Sequence, residues 1–458
     1  MTPPTLPLVD DRTPSWGISP VPERLQVLGA LDSLLLWGNL SVSLLVIVIG
    51  ALLVPALSLP TALLAILVGA VAGNVLLGVA AAIGADARVP GMVVLRAPLG
   101  QRGSWLPTAF NVAQNVGWST FELIIIATAA AAASERIFGW QGKWLWTLVF
   151  GALSWALGML GPIGFVRRYL RKVASWALLF SMGYLTYWAI SKSHLHAFWN
   201  RPGTGGFPSF GQAVDIVIGS VVSWTPLAAD YTRFARTRRS AGFGAGVGYF
   251  VPTLWCVGLG CLIALSRGVA DPSRLPGAVA AAGGIAFLAL IAITIDESEK
   301  AFADIYSTAV SLQNLFPRVS QRLLITLVSL LATGLALVLS FGGAFENFLL
   351  LLGSFFVPLL GVLVADWLLA DCRYTQERMF DGPSWRPAGL VAWAVGFCLY
   401  QWLSPTPLGF WMRLVAHTHP GNVTFGASLP SFAAAFLLML ALTLASRAVA
   451  RRDRASLA

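Results

Sequence analysis

The feature that most constrains this chain is a series of uninterrupted apolar runs, each long enough to cross bilayer hydrocarbon as a helix, which takes roughly 20 residues. They fall at approximately 31–54, 61–83, 106–132, 144–163, 173–191, 211–229, 246–266, 277–306, 322–341, 346–367, 387–404 and 429–447. The runs are continuous rather than alternating, which excludes a spanning β-barrel. Lipid cannot satisfy a bare backbone, so each run must be helical. An all-α membrane protein of about twelve transmembrane helices follows. Composition agrees, with 57% hydrophobic and 11% charged residues where a soluble chain carries about a quarter charged.

A formal charge of +10 invites a nucleic-acid partner, but its distribution argues against one. With the N-terminus inside, the inner loops and tail hold Arg88, Arg96 and Arg102, Arg167, Arg168, Arg171 and Lys172, the cluster Arg233, Arg236, Arg238 and Arg239, then Arg318, Arg322, Arg373, Arg378 and Arg386, and Arg447, Arg451, Arg452 and Arg454. The outer loops hold Arg136, Lys143, Lys192, Arg201, Arg267, Arg274 and Arg413. This bias of roughly threefold reports topology. It predicts a multi-pass protein of the cell (inner or plasma) membrane, both termini cytoplasmic, with lipid around it and no nucleic acid; a monomer is expected. Residues Met1–Gly29 are Pro-rich and polar, lack a signal-peptide pattern, and read as a loose cytoplasmic tail. Cys256, Cys261, Cys372 and Cys398 have no paired spacing, and His194, His196, His417 and His419 fall in predicted outer loops. Neither a disulfide framework nor a zinc site is expected.

Transporters place their sites where helices at matching positions of two repeats are interrupted. The first run carries Trp37-Gly38-Asn39 at its centre, and the sixth carries Ser223-Trp224-Thr225-Pro226. Pro226 removes a backbone donor and crowds the preceding turn, while Gly38 weakens the first helix. Two breaks five helices apart match a 5+5 inverted repeat with two C-terminal helices. The division is 1–29 tail, 30–192 first repeat, 210–368 second repeat, 387–447 helices eleven and twelve, and 448–458 basic tail. Gly69, Gly73 and Gly78 in the second run read as helix-packing residues.

The third run is the most informative. Asn111, Gln114, Asn115, Trp118 and Glu122 recur every three or four residues and form one polar, aromatic stripe. Polar groups at membrane depth face a cavity or a partner; they line a site, or they bond to neighbouring helices. An indole one turn from a carboxyl suits a flat heterocycle, stacked on the ring and donating N–H to the carboxylate. Trp224 offers a second face, with polar groups around Ser223 and Thr225 and Asn39 at the first break completing recognition. In the eighth run, Asp296, Lys300 and Asp304 share one face, with Glu297 beside them and Glu299 turned away. If the span is 277–295 these charges are solvated; if it starts near Gly284 the first of them lie at membrane depth and must be paired.

Four stretches, in order, resemble the nucleobase–cation symporter-1 family of cytosine, purine and hydantoin permeases. They are VPERLQVLGALDSLLLW, the segment GNVLLGVAAAIGADARVPGMVVLRAPLGQRGSWLPTAFNVAQNVGW, SWTPLAADYTRFAR and YSTAVSLQNL. The resemblance implies a leucine-transporter-type fold with alternating access around a midplane site. It implies a ring held between Trp118 and Trp224. The hydantoin permease has a Gln where this chain has Glu122, and a carboxylate suits an aminopyrimidine better than hydantoin. The family's sodium site is built from first-helix carbonyls, which implies roles for Trp37 and Gly38, and from eighth-helix hydroxyls. Aligned on Tyr306, the chain has Glu299 and Lys300 where those hydroxyls are expected, and the alternative register uses Thr294. With Lys300 there, its ammonium would replace sodium and leave protons as the coupling ion. No cofactor, no metal beyond sodium and no catalytic residue are expected.

The expected activity is therefore secondary import of a nucleobase or related pyrimidine, such as cytosine, a purine or a hydroxymethylpyrimidine-like ring. An amino-acid transporter on the same fold is the alternative, although it would want a Gly-rich first-helix break and Glu122 would repel its carboxylate. The spans hold no His-Glu-x-x-His, Cys pair or phosphate loop, so an enzyme is not expected. An aromatic pair at broken helices suggests binding rather than a passive pore.

Overall fold

The computed structural model describes residues 17–165, 175–191, 195–269, 271–339, 344–405, 409–415, 417–418 and 426–457. Among the described residues the apolar runs fall in helices or helix pairs, the eighth beginning in the short helix Leu275–Ala282. In order these are Ala30–Ser41 with Leu44–Leu53, Leu59–Ala87, Trp105–Phe138, Lys143–Phe165, Ser175–Ser191, Phe210–Val222 with Thr225–Thr232, Arg238–Arg267, Gly284–Leu315, Gln321–Val338, Ala344–Leu369, Pro387–Leu403 and Ser428–Leu457. They are called here the first to twelfth spans. By length and composition, eight helices among the described residues qualify as membrane-crossing, and the bent first pair makes a ninth. Pairing of β type is confined, among those residues, to one isolated bridge between Leu28 and Ala235.

The first span bends by 56°, but not at Trp37-Gly38-Asn39 as the sequence suggested. The helix runs through those residues to Ser41 and restarts at Leu44. Ser43 makes the restart possible: its hydroxyl accepts from Leu45 N (3.0 Å) and Val46 N (3.4 Å), the bonding expected of an N-cap serine. Gly38 instead allows close packing, since a Cβ there would meet the carbonyl oxygen of Gly248 in the seventh span at 3.3 Å. The sixth span breaks where expected. The interruption at Ser223-Trp224 is a single turn whose residues keep helical dihedrals, so Phe210–Thr232 still runs as one span without the sharp bend of the first. Pro226 sits in the first turn of the second half, where a missing N–H is harmless.

The eighth helix runs from Gly284 to Leu315, which decides between the two registers. Asp296, Glu297, Lys300 and Asp304 are all buried, so the solvated alternative is excluded. The side chain of Glu299 lies outside the described residues, as do His194 and His419. The expected loose N-terminal tail is not loose from Gly17 onward. Val21 N bonds to Arg88 O, Leu28 N to Phe234 O and Arg236 N to Leu28 O, and Val21 and Leu28 are buried. At the other end, the twelfth helix continues through the basic tail to Leu457.

The second span packs through its glycines, as its small-residue spacing predicts. A Cβ on Gly69 or Gly73 would come within 2.7 Å of Val217 or 2.8 Å of Val221 in the sixth span. Buried Asp215 of the sixth span accepts from Ala427 N (2.6 Å) and Ser428 N (3.0 Å). It thereby satisfies orphan donors where the twelfth helix begins. Where the N-terminal strap packs, buried Arg233 donates to Gly17 O (3.1 Å) and the Tyr306 hydroxyl (3.2 Å). Asp86 there pairs with Arg238 and accepts from Tyr374 N.

Candidate functional site

The two broken spans meet the third and eighth spans in the protein interior. On the third span, Asn111, Gln114, Asn115 and Glu122 are buried and Trp118 half-buried. The helical spacing that put them in one stripe therefore turns that stripe inward, away from lipid. Gln114 Nε2 donates to Asn111 Oδ1 (2.7 Å) and to Ser223 O (3.0 Å). The latter bond ties the third span to the sixth-span break. Asn111 Nδ2 donates to Ser311 Oγ (2.8 Å), tying it also to the eighth span.

Those bonds leave much unsatisfied. Both amide atoms of Asn115, Gln114 Oε1, Trp118 Nε1, Ser119 Oγ and Glu122 Oε2 are buried without a partner, as are Asn39 Oδ1 and Trp37 Nε1 across from them. A buried polar group left unpaired costs about 1–3 kcal/mol. Concentrated on two facing helices, such groups mark a place where water or a ligand completes the bonding. Ser119, in the same stripe, was missed from sequence; its position one turn after Asn115 was the available signal.

The aromatic residues divide. Trp118 packs edge-on against Phe345 (5.8 Å) and Phe348 (5.3 Å) of the tenth span. Trp224 packs against Trp37 (6.0 Å, T-shaped) and Tyr249 (6.0 Å, tilted). Trp37 is fully buried and also meets the edges of Tyr231 and Tyr249, so its ring supports Trp224. Thr225 bonds to Val222 O (2.7 Å) and Thr294 to Leu290 O (2.7 Å), so each hydroxyl spends its proton on its own span.

Charge is handled differently on the eighth span. Lys300 pairs with Asp296, one turn before it, and Asp296 Oδ1 accepts from Asn39 Nδ2 (3.4 Å). Glu297 accepts from the Ser43 hydroxyl and, with both oxygens, from Leu44 N (2.9 and 3.0 Å). Helix one therefore ends against Asp296 and restarts against Glu297. Glu122 lies beside the same cluster, within hydrogen-bond reach of Glu297 and electrostatic reach of Lys300 and Asp304. Gly38 lies in the last turn of the first half-helix, where helix carbonyls run out of partners and Asn39 O is taken up by Val42 N (3.0 Å). The open groove between the second and seventh spans, lined by Val75, Gly78, Gly246, Phe250 and Trp367, is apolar and separate from these groups.

A bent first helix, a broken sixth and a polar third helix facing them define a transporter built around an interior site. The family of permeases for cytosine/purines, uracil, thiamine and allantoin matches residues 20–421, and the chain belongs to it. It is 25% identical over 350 residues to the cytosine permease of Escherichia coli (strain K12), covering 72% of this chain and 77% of that one. To the hydantoin permease of Microbacterium maritypicum it is 24% identical over 328 residues, 66% of each chain. In fold it is similar to Mhp1, a nucleobase-cation-symport-1 family transporter, in a closed conformation with bromovinylhydantoin bound (TM-score 0.76, 19% identity, 97% of both chains). It is similar also to the inward-facing conformation of Mhp1 (TM-score 0.74, 17% identity, 94% and 93% of the two chains). The protein is thus a cation-coupled membrane transporter of leucine-transporter-type fold, and not an enzyme.

Proposed function

We propose that this transporter imports an aminopyrimidine-type nucleobase, such as cytosine or a hydroxymethylpyrimidine-like ring, together with a proton. The observation that carries the substrate is the unpartnered Glu122 Oε2 one helical turn from Trp118. A ring stacked on that indole presents an amino group to the carboxylate, a charge-assisted bond of about 1.5–3 kcal/mol. Asn115 and Gln114, with buried amide atoms free, read the remaining ring edge, and Trp224 covers the ring from the sixth-span break. The relatives named above, a cytosine permease and a hydantoin permease, support a flat nitrogen heterocycle.

The proton is favoured by the eighth span. Beside the first-span break an ammonium already stands where a sodium ion would sit: Lys300 pairs with Asp296 and both Glu297 oxygens accept from Leu44 N, leaving Asn39 Oδ1 unpartnered beside them. A mobile cation that binds one state better than the other drives the cycle, and a proton exchanged among these carboxyls fills that role. The two repeats rock around the site, with both termini on the cytoplasmic side.

The test is uptake into proteoliposomes of cytosine, adenine, uracil, hydroxymethylpyrimidine, thiamine and hydantoin. Aminopyrimidine uptake that persists without sodium and collapses with the proton gradient is expected. Strict sodium dependence removes the proton, and uptake of hydantoin alone removes the aminopyrimidine.

A further inference from the structure

The broken first span carries a seat for an anion, and that seat is already filled. The N-terminus of a half-helix, with its free N–H groups and positive dipole end, is where transporters of this architecture hold an anionic substrate group. Here the half-helix Leu44–Leu53 directs Leu44 N and the Ser43 hydroxyl at Glu297, a residue of the eighth span 254 positions away. Glu297 is wholly buried. Ser43 has one proton to give and gives it to Glu297, while its oxygen accepts from Leu45 N, so the cap is closed on both sides. Beside it stands Glu122, 4% exposed with one oxygen unpartnered, within hydrogen-bond reach of Glu297. A carboxylate cargo entering the unsatisfied pocket would meet two carboxyls and find the N–H groups taken.

Building on the proposed heterocycle transport, we infer that Glu297 is a specificity-determining residue. It acts as an internal carboxylate that occupies the first-span anion seat and restricts the cargo to neutral or cationic rings. Selectivity then arises from a built-in repulsion as well as from attraction. Like-charge juxtaposition costs several kcal/mol, and the ammonium nearby, Lys300, is already committed to Asp296. The same fold, freed of that side chain, would present an empty anion seat beside an aromatic wall.

A matched pair of probes isolates charge from size: orotate and its neutral amide, orotamide, as competitors of labelled cytosine binding to the purified protein at neutral pH, a readout that does not need proton coupling through Glu297. Orotate is expected to compete at least ~100-fold more weakly than orotamide in the native protein. In Glu297→Ala that ratio should shrink by at least ~10-fold. Formate, small enough to enter the vacated seat, should raise the thermal midpoint of Glu297→Ala and leave that of the native protein unchanged. Glu297→Gln, which keeps the shape and removes the charge, guards against a variant that does not insert and should shrink the ratio in the same direction. Equal competition by orotate and orotamide in the native protein overturns the inference, as does an unchanged ratio in the folded variants. Absence of cytosine binding by the native protein overturns the functional reading instead, and formate stabilisation of Glu297→Ala still reports on the seat by itself.

Discussion

The third and eighth spans both carry polar residues through the interior, and they treat them in opposite ways. On the third, Asn115, Trp118, Ser119 and Glu122 hold buried atoms that nothing in the protein satisfies. On the eighth, Lys300 is paired with Asp296, Asp296 with Asn39, and Glu297 with the Ser43-Leu44 restart. The third leaves a contiguous stripe incomplete, while the eighth closes its charges at 296, 297 and 300 and leaves only neutral atoms such as Ser298 Oγ and Gln313 Oε1 unpartnered among the described residues. Interiors do not keep unsatisfied groups without cause, and in the proposed function the incomplete helix is the one that meets cargo. The eighth is joined to the first span, and under that proposal a change of protonation there moves the break.

That contrast orders the expected effects of substitution. The largest is Trp118→Ala, which should abolish heterocycle uptake while membrane insertion and the thermal midpoint, read on purified protein, stay close to native. Uptake near the native rate would break the third-span half of the comparison. Next is Lys300→Ala, which strands Asp296 as a buried charge and should cost about 3–5 kcal/mol of stability, measured as a lowered thermal midpoint. The double variant Asp296→Asn with Lys300→Met should recover much of it, yet remain poor in proton-driven accumulation. Glu122→Gln should be smaller and qualitative, lowering affinity for aminopyrimidines by about tenfold or more and shifting preference among rings. Binding measured by calorimetry across the same panel checks it, and an unchanged order would remove the assigned contact. Smallest is Thr225→Val: its hydroxyl bonds to Val222 O, so uptake should fall by less than about threefold, within the ~0.5–1.5 kcal/mol that one such bond contributes.

The sequence carried some of this plainly. Helices could be placed because hydrocarbon thickness sets a length that apolar runs either meet or miss. The third-span stripe was legible because helical periodicity is local, and the sixth-span break because Pro226 acts on its own turn. What was not legible depends on distant partners. Gly38 looked like the weak point of the first span, but it packs against Gly248, while the bend falls at Ser43, fixed from outside by Glu297. Two registers of the eighth span fitted equally well because its charges are tolerable in water or when paired, and pairing with Asn39 and Ser43 cannot be read from residues more than 250 positions apart. The strap from Gly17 to Gly29 escaped notice for the same reason, its bonds going to Arg88 and Phe234.

The central claim is that the unsatisfied stripe of the third span lines the cargo's seat. Its most direct test places a cysteine at Asn115, both of whose amide atoms are buried and unpartnered, in a background with the four native cysteines replaced. Labelling by a small thiol reagent is then followed with and without cytosine. The account predicts that the site is labelled during turnover and that cytosine protects it in proportion to occupancy. A cysteine that labels equally fast at saturating cytosine, in a variant that still binds it, would contradict the account.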